Sequence, residues 1–179
     1  MEKDEKELVA KAKAGDRKAF DELTRMYKDK MFALTYRMTG NREAALDLLQ
    51  ETFLSAFKSI RNFRGEAGFS SWLYRIASNK TINFLRRKKL LAFTSLGENP
   101  SMEPSYIMDD TVQNKELHQV MARAVDSLPP KQKLVFNLRF YEQLQFAEIA
   151  SIMKRSESTV KTSYQKAIEK LRDKLGDFR

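Results

Sequence analysis

Apolar residues recur at steps of three and four along most of this chain, which is the spacing of one face of an α-helix. The clearest series lies between Phe20 and Met38, and it predicts a helix that starts at Asp16 and ends at Gly40. A charged segment before it, residues 4–14, predicts a shorter helix. Nowhere does an alternation of period two persist over a useful length, so the pattern favours an all-α fold.

Asn41 is placed to cap a third helix, which we expect to run to about Ile60. A loop over residues 62–68 separates it from a fourth helix, which continues to about Lys89. The residues expected to face the core are Ala45, Leu49, Phe53, Phe57 and Ile60 in the third helix, and Leu73, Ala77 and Phe84 in the fourth.

The second half of the chain predicts three or four shorter helices. Pro129 and Pro130 open one of them, because proline suits the first turn of a helix. Residues 146–153 form a short helix, and Ser156 caps a longer amphipathic helix that follows. This succession is the helix-turn-helix pattern, although helical hairpins without a DNA role produce it too.

Residues 93–112 differ from both halves, since they contain a glycine and two prolines and have no sustained apolar period. Their charged residues are all acidic: Glu98, Glu103, Asp109 and Asp110. We therefore expect two small helical domains, residues 1–92 and 113–179, joined by a flexible acidic linker over residues 93–112. The second would be the helix-turn-helix domain.

The formal net charge is +9, and the positive excess lies in the two predicted domains. Basic domains indicate a polyanionic partner, most often nucleic acid, although a solubilising surface produces the same charge. The sequence contains no cysteine, no apolar run long enough to span a membrane and a charged N-terminus unlike a signal peptide. We therefore expect a soluble cytoplasmic protein with no membrane insertion.

Residues that would indicate an enzyme are scarce. The single histidine, His118, lies among charged and apolar residues without a ligand spacing, and neither a phosphate-binding glycine loop nor a zinc-protease motif occurs. We expect no catalytic residue, no metal site and no cofactor.

Two helix faces carry polar residues in unusual combinations. One side of the fourth helix carries Trp72, Arg75, Asn79, Asn83 and Arg86. Basic groups bind phosphates, amides bond to base edges and aromatic rings stack on unpaired bases, so this set is suited to nucleic acid. The alternative is a solvated face with the tryptophan folded into the core.

On another side of the third helix Asp47, Gln50, Glu51, Leu54 and Lys58 lie together and form an acidic and amide patch with an exposed leucine. Such a face would repel phosphate, so it is either plain surface or the docking site of a protein partner.

Five segments in this order resemble the bacterial RNA polymerase sigma factors of the extracytoplasmic-function group. Residues 47–53, DLLQETF, resemble the D-x-x-Q-E-x-F motif that binds core polymerase, and residues 69–77, FSSWLYRIA, resemble F-x-x-W-L-x-x-I-A. In the second half, LPPKQ (128–132), FAEIA (146–150) and the residues from Ser156 to Lys161 resemble the fourth conserved region.

The resemblance implies a transcription initiation factor that reads the minus-ten element as captured single strand and the minus-thirty-five element as duplex. Its partners would be core RNA polymerase, at the clamp helices of the largest subunit and the flap region, promoter DNA, and an anti-sigma factor. The implied polymerase-binding residues are Asp47, Leu49, Gln50, Glu51 and Leu54. The implied minus-ten residues are Asn62, Phe63, Arg64, Phe69, Trp72, Arg75, Asn79, Asn83, Arg86 and Arg87. The implied minus-thirty-five residues are Arg139, Ser156, Ser158, Thr159, Lys161, Thr162, Gln165 and Lys166.

Two alternatives remain open from the sequence. A free-standing helix-turn-helix regulator that never joins polymerase would explain the second domain and the charge, but not the acidic face of the third helix. A sigma-like decoy without promoter activity would carry all the same surfaces.

Overall fold

The computed structural model describes residues 2–94 and 115–176, with the side chains of residues 4–91 and 120–176. Within these ranges the chain is helical, without a strand. The first domain contains α1 (Glu2–Lys13), α2 (Arg17–Thr39), α3 (Arg42–Ser59), a 3-10 turn (Ile60–Asn62) and α4 (Phe69–Thr94). The second contains α5 (Lys115–Asp126), α6 (Pro130–Phe140), α7 (Phe146–Met153) and α8 (Glu157–Gly176). The all-α fold with two helical domains is confirmed.

The predicted caps set the helix boundaries. The Asp16 carboxylate accepts hydrogen bonds from the first backbone N–H groups of α2, and Gly40 ends that helix in the left-handed conformation, with φ 63°. The amide oxygen of Asn41 then accepts from Ala44 N at 2.8 Å and starts α3. A glycine followed by a capping residue therefore turns the chain sharply, and α3 packs back against α2.

The buried side of α3 differs from the predicted stripe. Its buried residues are Ala45, Leu48, Thr52, Ala56 and then Ile60, whereas Leu49 and Phe53 are half-buried and Phe57 is 44% exposed. The large rings of Phe53 and Phe57 therefore lie beside the buried line. Apart from Leu48 and Ile60, this line consists of small side chains, which allow α3 to pack closely against its neighbours.

The core face of α4 is also broader than predicted. Leu73 and Ala77 are buried as expected, but Phe84 is half-exposed, and Tyr74, Ser78 and Thr81 are buried in its place. The reason is that α4 packs against two sets of helices, since α2 and α3 cover one side and α6 and α7 of the second domain cover another.

One apolar core therefore continues from the first domain into the second. Leu34 and Met38 of α2 belong to the same buried cluster as Leu138 of α6 and Ile149 of α7. A separate cluster beneath α5 and α8 contains Val125, Phe136 and Leu171 and completes the second domain.

The linker prediction falls almost entirely outside the described residues, except that α4 continues to Thr94. Across the described helices, none is long and apolar enough to cross a membrane.

Candidate functional site

The outer face of α3 presents the expected polymerase-binding residues, with one difference. Asp47, Gln50 and Glu51 are exposed, and Leu54 is 51% exposed, whereas Leu49 is half-buried against the core. Leu49 can therefore hold α3 in place, while Asp47, Gln50 and Leu54 are open to a partner. The exposed Glu51 carboxylate also pairs with Lys80 Nζ of α4 at 3.1 Å.

Two further apolar residues lie on exposed positions of α3 that the sequence prediction did not include. Leu46 is 45% exposed, and Phe57 is 44% exposed although its ring contacts Phe20 at 5.1 Å between centroids. With Leu54 they form a row at helical spacing beside the acidic and amide residues. We call the set Leu46, Asp47, Gln50, Glu51, Leu54 and Phe57 the α3 outer face. Its apolar row could have been found from helical geometry, because the spacings from Leu46 to Leu54 and from Leu54 to Phe57 return to the same side of a helix.

The aromatic residues before and within α4 form a cluster inside the first domain. The Trp72 ring lies 5.0 Å from Phe63 and 5.5 Å from Phe69, measured between centroids. Phe63 and Phe69 are buried and Trp72 is half-buried. In this arrangement these rings support the loop from inside.

Next to this cluster the loop lines an open pocket of about 270 Å³, which we call the loop cavity. Its walls come from residues 62–67, Trp72 and Arg75, and from Ser151 of the second domain. Arg64 and Asn62 are exposed beside it. Arg75 Nη2 donates to Ser151 O at 3.3 Å, while the buried Nε of Arg75 has no partner among the described residues.

The expected nucleic-acid face of α4 continues along the seam between the domains. Asn79, Asn83, Arg86 and Arg87 are exposed. A second, open pocket of about 220 Å³, the seam cavity, brings three residues of this face together with two basic residues of the second domain. These are Asn79, Asn83 and Arg86 from α4, and Lys131 and Arg155.

The second domain presents the expected recognition helix. Ser156 Oγ accepts from Thr159 N at 3.2 Å and caps α8, as predicted. The other expected residues on this helix are all exposed: Ser158, Thr159, Lys161, Thr162, Gln165 and Lys166. The turn before it places Lys154 in the left-handed conformation, with φ 51°, at a position where glycine would be unstrained.

Arg139, expected to contact a phosphate, is bound within its own domain. Its Nη1 donates to Leu144 O at 2.9 Å, and its guanidinium lies 4.9 Å from the centre of the Phe146 ring. Arg139 thus fixes the connection between α6 and the start of α7.

No group of acidic or histidine side chains arranged to hold a metal ion occurs among the side chains that the structure describes. The side chain of His118 lies outside that part of the chain.

Comparison with known proteins agrees with this geometry. Two family models match, Sigma-70 region 2 over residues 23–90 and Sigma-70, region 4 over residues 118–171. The ECF RNA polymerase sigma factor SigW of Bacillus subtilis is 36% identical over 97% of both chains. The chain belongs to the ECF RNA polymerase sigma factors. The ECF sigma-E factor of Haemophilus influenzae is a further relative, 32% identical over 94% of this chain and 93% of its own.

Solved structures share the fold of this ECF sigma factor. CnrH in complex with the cytosolic domain of CnrY has a TM-score of 0.71 at 22% identity, covering 97% of this chain and 98% of its own. The sigma factor RpoE of Bartonella quintana, in complex with the anti-sigma factor NepR, has a TM-score of 0.68 at 18% identity, covering 90% and 99%.

The two family matches decide between an initiation factor and a free-standing regulator. The region 2 match includes α3 and most of α4, and the region 4 match includes the helix-turn-helix. This ECF sigma factor is a promoter-directing subunit of RNA polymerase, so a free-standing regulator is not favoured.

Proposed function

We propose that this sigma factor binds core RNA polymerase through the α3 outer face. The observation that carries the proposal is an exposed apolar row flanked by carboxylates on a strongly basic protein. Exposed leucine and phenylalanine side chains favour burial against a partner, and the carboxylates favour a basic protein surface over DNA. The clamp helices of the largest polymerase subunit are the partner that the family implies.

The minus-ten element is bound, in this proposal, by the exposed residues of the loop and of α4. Arg64, Arg86 and Arg87 contact phosphates, whereas Asn79 and Asn83 bond to base edges. The loop cavity is a recess in which an unpaired base is held. Phe63, Phe69 and Trp72 pack on one another. We therefore propose that these rings support the recess and do not stack on bases.

The minus-thirty-five element is read by the exposed side of α8, where Lys161, Thr162, Gln165 and Lys166 reach into the major groove. Ser156, Ser158 and Thr159 lie at the helix N-terminus, where hydroxyl and backbone N–H groups suit a phosphate. Arg139 positions α7 against α6, so we propose that other residues contact the phosphates.

The mechanism requires no bond chemistry in this subunit. Polymerase holds the two domains at a fixed separation, so each weak DNA contact raises the effective concentration of the other. Hydrogen bonds to each captured base and contacts to its phosphate offset the energy of unpairing. We therefore propose a non-catalytic, cytoplasmic specificity subunit that melts the promoter by binding the open strand.

An anti-sigma factor is a further proposed partner. CnrH and RpoE of Bartonella quintana were both solved with a bound protein, which for RpoE is the anti-sigma factor NepR. The α3 outer face is the surface that such an inhibitor would cover here, since covering it blocks polymerase. An inhibitor that leaves Asp47 and Leu54 accessible when bound would contradict this assignment.

Binding to core RNA polymerase tests the proposal. The chain is compared with a variant in which Asp47, Gln50 and Glu51 are alanine, and with a control in which Glu169 and Asp173 of α8 are alanine. The control also loses two negative charges, but at exposed positions of the second domain. We expect the triple variant to lose polymerase binding and the control to retain it; equal binding by all three would overturn the proposed dock.

A further inference from the structure

The seam cavity collects positive charge from both domains. Arg86 of α4 lines it from one side, and Lys131 of α6 and Arg155 of the turn after α7 line it from the other. None of the described residues that line this pocket is acidic, and no described carboxylate pairs with any of the three basic residues. A small pocket that is lined by charges of one sign attracts an ion of the opposite sign, so this one favours an anion.

The backbone fixes where Arg155 lies. Lys154 adopts the left-handed conformation, with φ 51°, and Arg155 N then donates to Ala150 O at 3.0 Å. These bonds end α7 and hold the turn close to that helix, so Arg155 is carried to the wall of the seam cavity by ordered backbone.

The N-terminus of α6 adds hydrogen-bond donors to the same side of the pocket. Pro129 precedes this helix without a side-chain hydrogen bond, and the first turn contains no acidic residue. Lys131 lies in that first turn, where a backbone N–H has no carbonyl partner within the helix. The positive end of the helix dipole therefore acts together with the Lys131 ammonium, and both favour an anion.

Ser78 provides an independent observation at this pocket. It lines the seam cavity from the inner side of α4 and is only 3% exposed. Serine hydroxyls inside helices often donate to the carbonyl one turn before, but Ser78 Oγ has no hydrogen-bond partner among the described residues. A buried hydroxyl without a partner is unfavourable, and an anion in the pocket would accept a hydrogen bond from it.

The floor of the pocket is apolar and its volume is small. Leu134 and Ile152 are buried in the core cluster that both domains share, and Ile82 and Met153 pack beside them. Its volume of about 220 Å³ lies below the roughly 300–1,000 Å³ of pockets for drug-sized ligands, so it suits a small anion. Guanidinium groups bind phosphate oxygens in pairs, and phosphate is therefore the chemistry that these side chains fit best.

We propose that the seam cavity binds a small free anion that carries phosphate groups, such as pyrophosphate. Arg86, Lys131 and Arg155 neutralise its charge, while Ser78 Oγ and the first N–H groups of α6 donate hydrogen bonds. The inference goes beyond the proposed function, which assigns a role to Arg86 but none to Lys131, Arg155 or Ser78. Because the anion binds the folded chain, it also raises the free energy of unfolding.

Titration calorimetry of the full-length chain with inorganic pyrophosphate, at constant ionic strength, measures the site. We expect one pyrophosphate for each chain, and about tenfold weaker binding by Arg155→Gln and by Lys131→Gln. The matched control Arg172→Gln removes the same charge at an exposed position of α8 outside the pocket, and it should bind as the parent does. Absence of binding, or an equal loss in all three variants, would overturn the site.

Ser78→Ala separates a ligand contact from a structural role. The hydroxyl has no partner to lose, so without pyrophosphate the thermal unfolding midpoint of this variant should equal or exceed that of the parent. Its affinity for pyrophosphate should fall about threefold, because the hydrogen bond to the anion is lost. A lower midpoint together with unchanged affinity would overturn the place of Ser78 in the site.

The phosphates of a DNA backbone carry the same chemistry, so a second titration distinguishes the two sources. The same chains are titrated with a fluorescent, mixed-sequence single-stranded DNA 12-mer at fixed salt. A site for a free anion predicts that Lys131→Gln and Arg155→Gln lower DNA affinity no more than Arg172→Gln does. If these two variants lose DNA affinity and the parent binds no pyrophosphate, the pocket receives a backbone phosphate and the free-anion site is wrong. Failure of polymerase binding by the parent would count against the proposed function and leave the pyrophosphate result standing.

Discussion

The indole ring of Trp72 lies 5.0 Å from the phenyl ring of Phe63, centroid to centroid, and this contact joins the first turn of α4 to the loop before it. Phe63 is buried by the contact, and Phe69 completes the cluster from the other side. Aromatic residues in a loop beside a basic helix suggest base stacking when they are read from the sequence. Their packing indicates that they fix the shape of the loop.

Removing the Phe63 ring should therefore lower the stability of the fold more than it weakens DNA binding. We expect Phe63→Ala to lower the free energy of unfolding by about 3 kcal/mol, because it leaves a cavity beneath the loop. Urea titration followed by the fluorescence of Trp72, the single tryptophan, measures this directly. Arg64→Ala, at an exposed position in the same loop, should leave the unfolding free energy within about 0.5 kcal/mol and weaken single-strand binding. Equal stability of the two variants would contradict the supporting role.

The apolar row of the α3 outer face predicts an effect on polymerase affinity without an effect on stability. Leu54 is about half exposed, so Leu54→Ala should change the free energy of unfolding by less than about 0.5 kcal/mol. Its affinity for core polymerase should fall about tenfold, because an interface leucine contributes about 1–2 kcal/mol. Leu54→Met preserves the volume and should retain most of the affinity. Loss of stability in Leu54→Ala would show instead that the residue belongs to the core.

Lys133 is buried, and we expect its contribution to stability to depend strongly on its partner, Asp126. Its Nζ lies 2.7 Å from Asp126 Oδ1 and donates to Met38 O of the first domain at 2.9 Å. Burial lowers the pKa of this ammonium, while the Asp126 carboxylate acts in the opposite direction. We expect Lys133→Met to cost about 3 kcal/mol of unfolding free energy, because it removes a buried ammonium that pairs with Asp126 and donates to Met38 O.

A double-mutant cycle measures that coupling. Lys133→Met combined with Asp126→Asn should be more stable than the sum of the two single changes predicts, by about 1 kcal/mol or more. Strict additivity would show that the two side chains act independently.

The turn between α7 and α8 predicts a stabilising change. Lys154 adopts a left-handed conformation that strains a residue with a Cβ and suits glycine. We expect Lys154→Gly to raise the free energy of unfolding by about 0.5–1 kcal/mol, since relief of strain exceeds the added entropy of the unfolded chain. Lys170→Gly, at an exposed position inside α8, should lower it by a similar amount. Destabilisation by Lys154→Gly would mean that the lysine side chain has a structural contact.

Two buried tyrosines predict a loss of stability at alkaline pH. Burial and a hydrogen bond to a carboxylate, Glu5 for Tyr27 and Glu142 for Tyr74, raise the pKa of both hydroxyls above their ordinary value. The folded chain keeps these protons after the unfolded chain has lost them. Their contribution is therefore complete below about pH 10 and falls by about 1.4 kcal/mol per pH unit for each tyrosine above it.

Urea unfolding at pH 8 and pH 11 checks this slope. Between these two pH values the free energy of unfolding should fall less in Tyr27→Phe and in Tyr74→Phe than in the parent. The other groups that titrate in this range are present in all three chains, so their effect cancels in the comparison. If the free energy of unfolding falls as much in both variants as in the parent, the alkaline loss of stability does not come from these two tyrosines.

Sequence patterns predicted the helices well where the deciding contacts are local. Asp16, Gly40, Asn41 and Ser156 each end or begin a helix through bonds to residues two to four positions away, so their effect is visible in the sequence. The buried sides of α3 and α4 were less predictable. Thr52 and Ala56 carry little hydrophobic signal, yet both are fully buried, because neighbouring helices cover them in the assembled bundle.

The sequence by itself determined the order of the helices, their caps, the helix-turn-helix and the composition of the exposed faces of α3 and α8, because these follow from spacing and local hydrogen bonding. Tertiary structure decided that Phe63 and Trp72 support a loop, that Arg139 binds its own domain and that Arg37 meets Glu142. Arg37 and Glu142 are 105 positions apart, on either side of the predicted linker. No local pattern specifies such a pair, because it forms only when two separately folded surfaces bury their charges together.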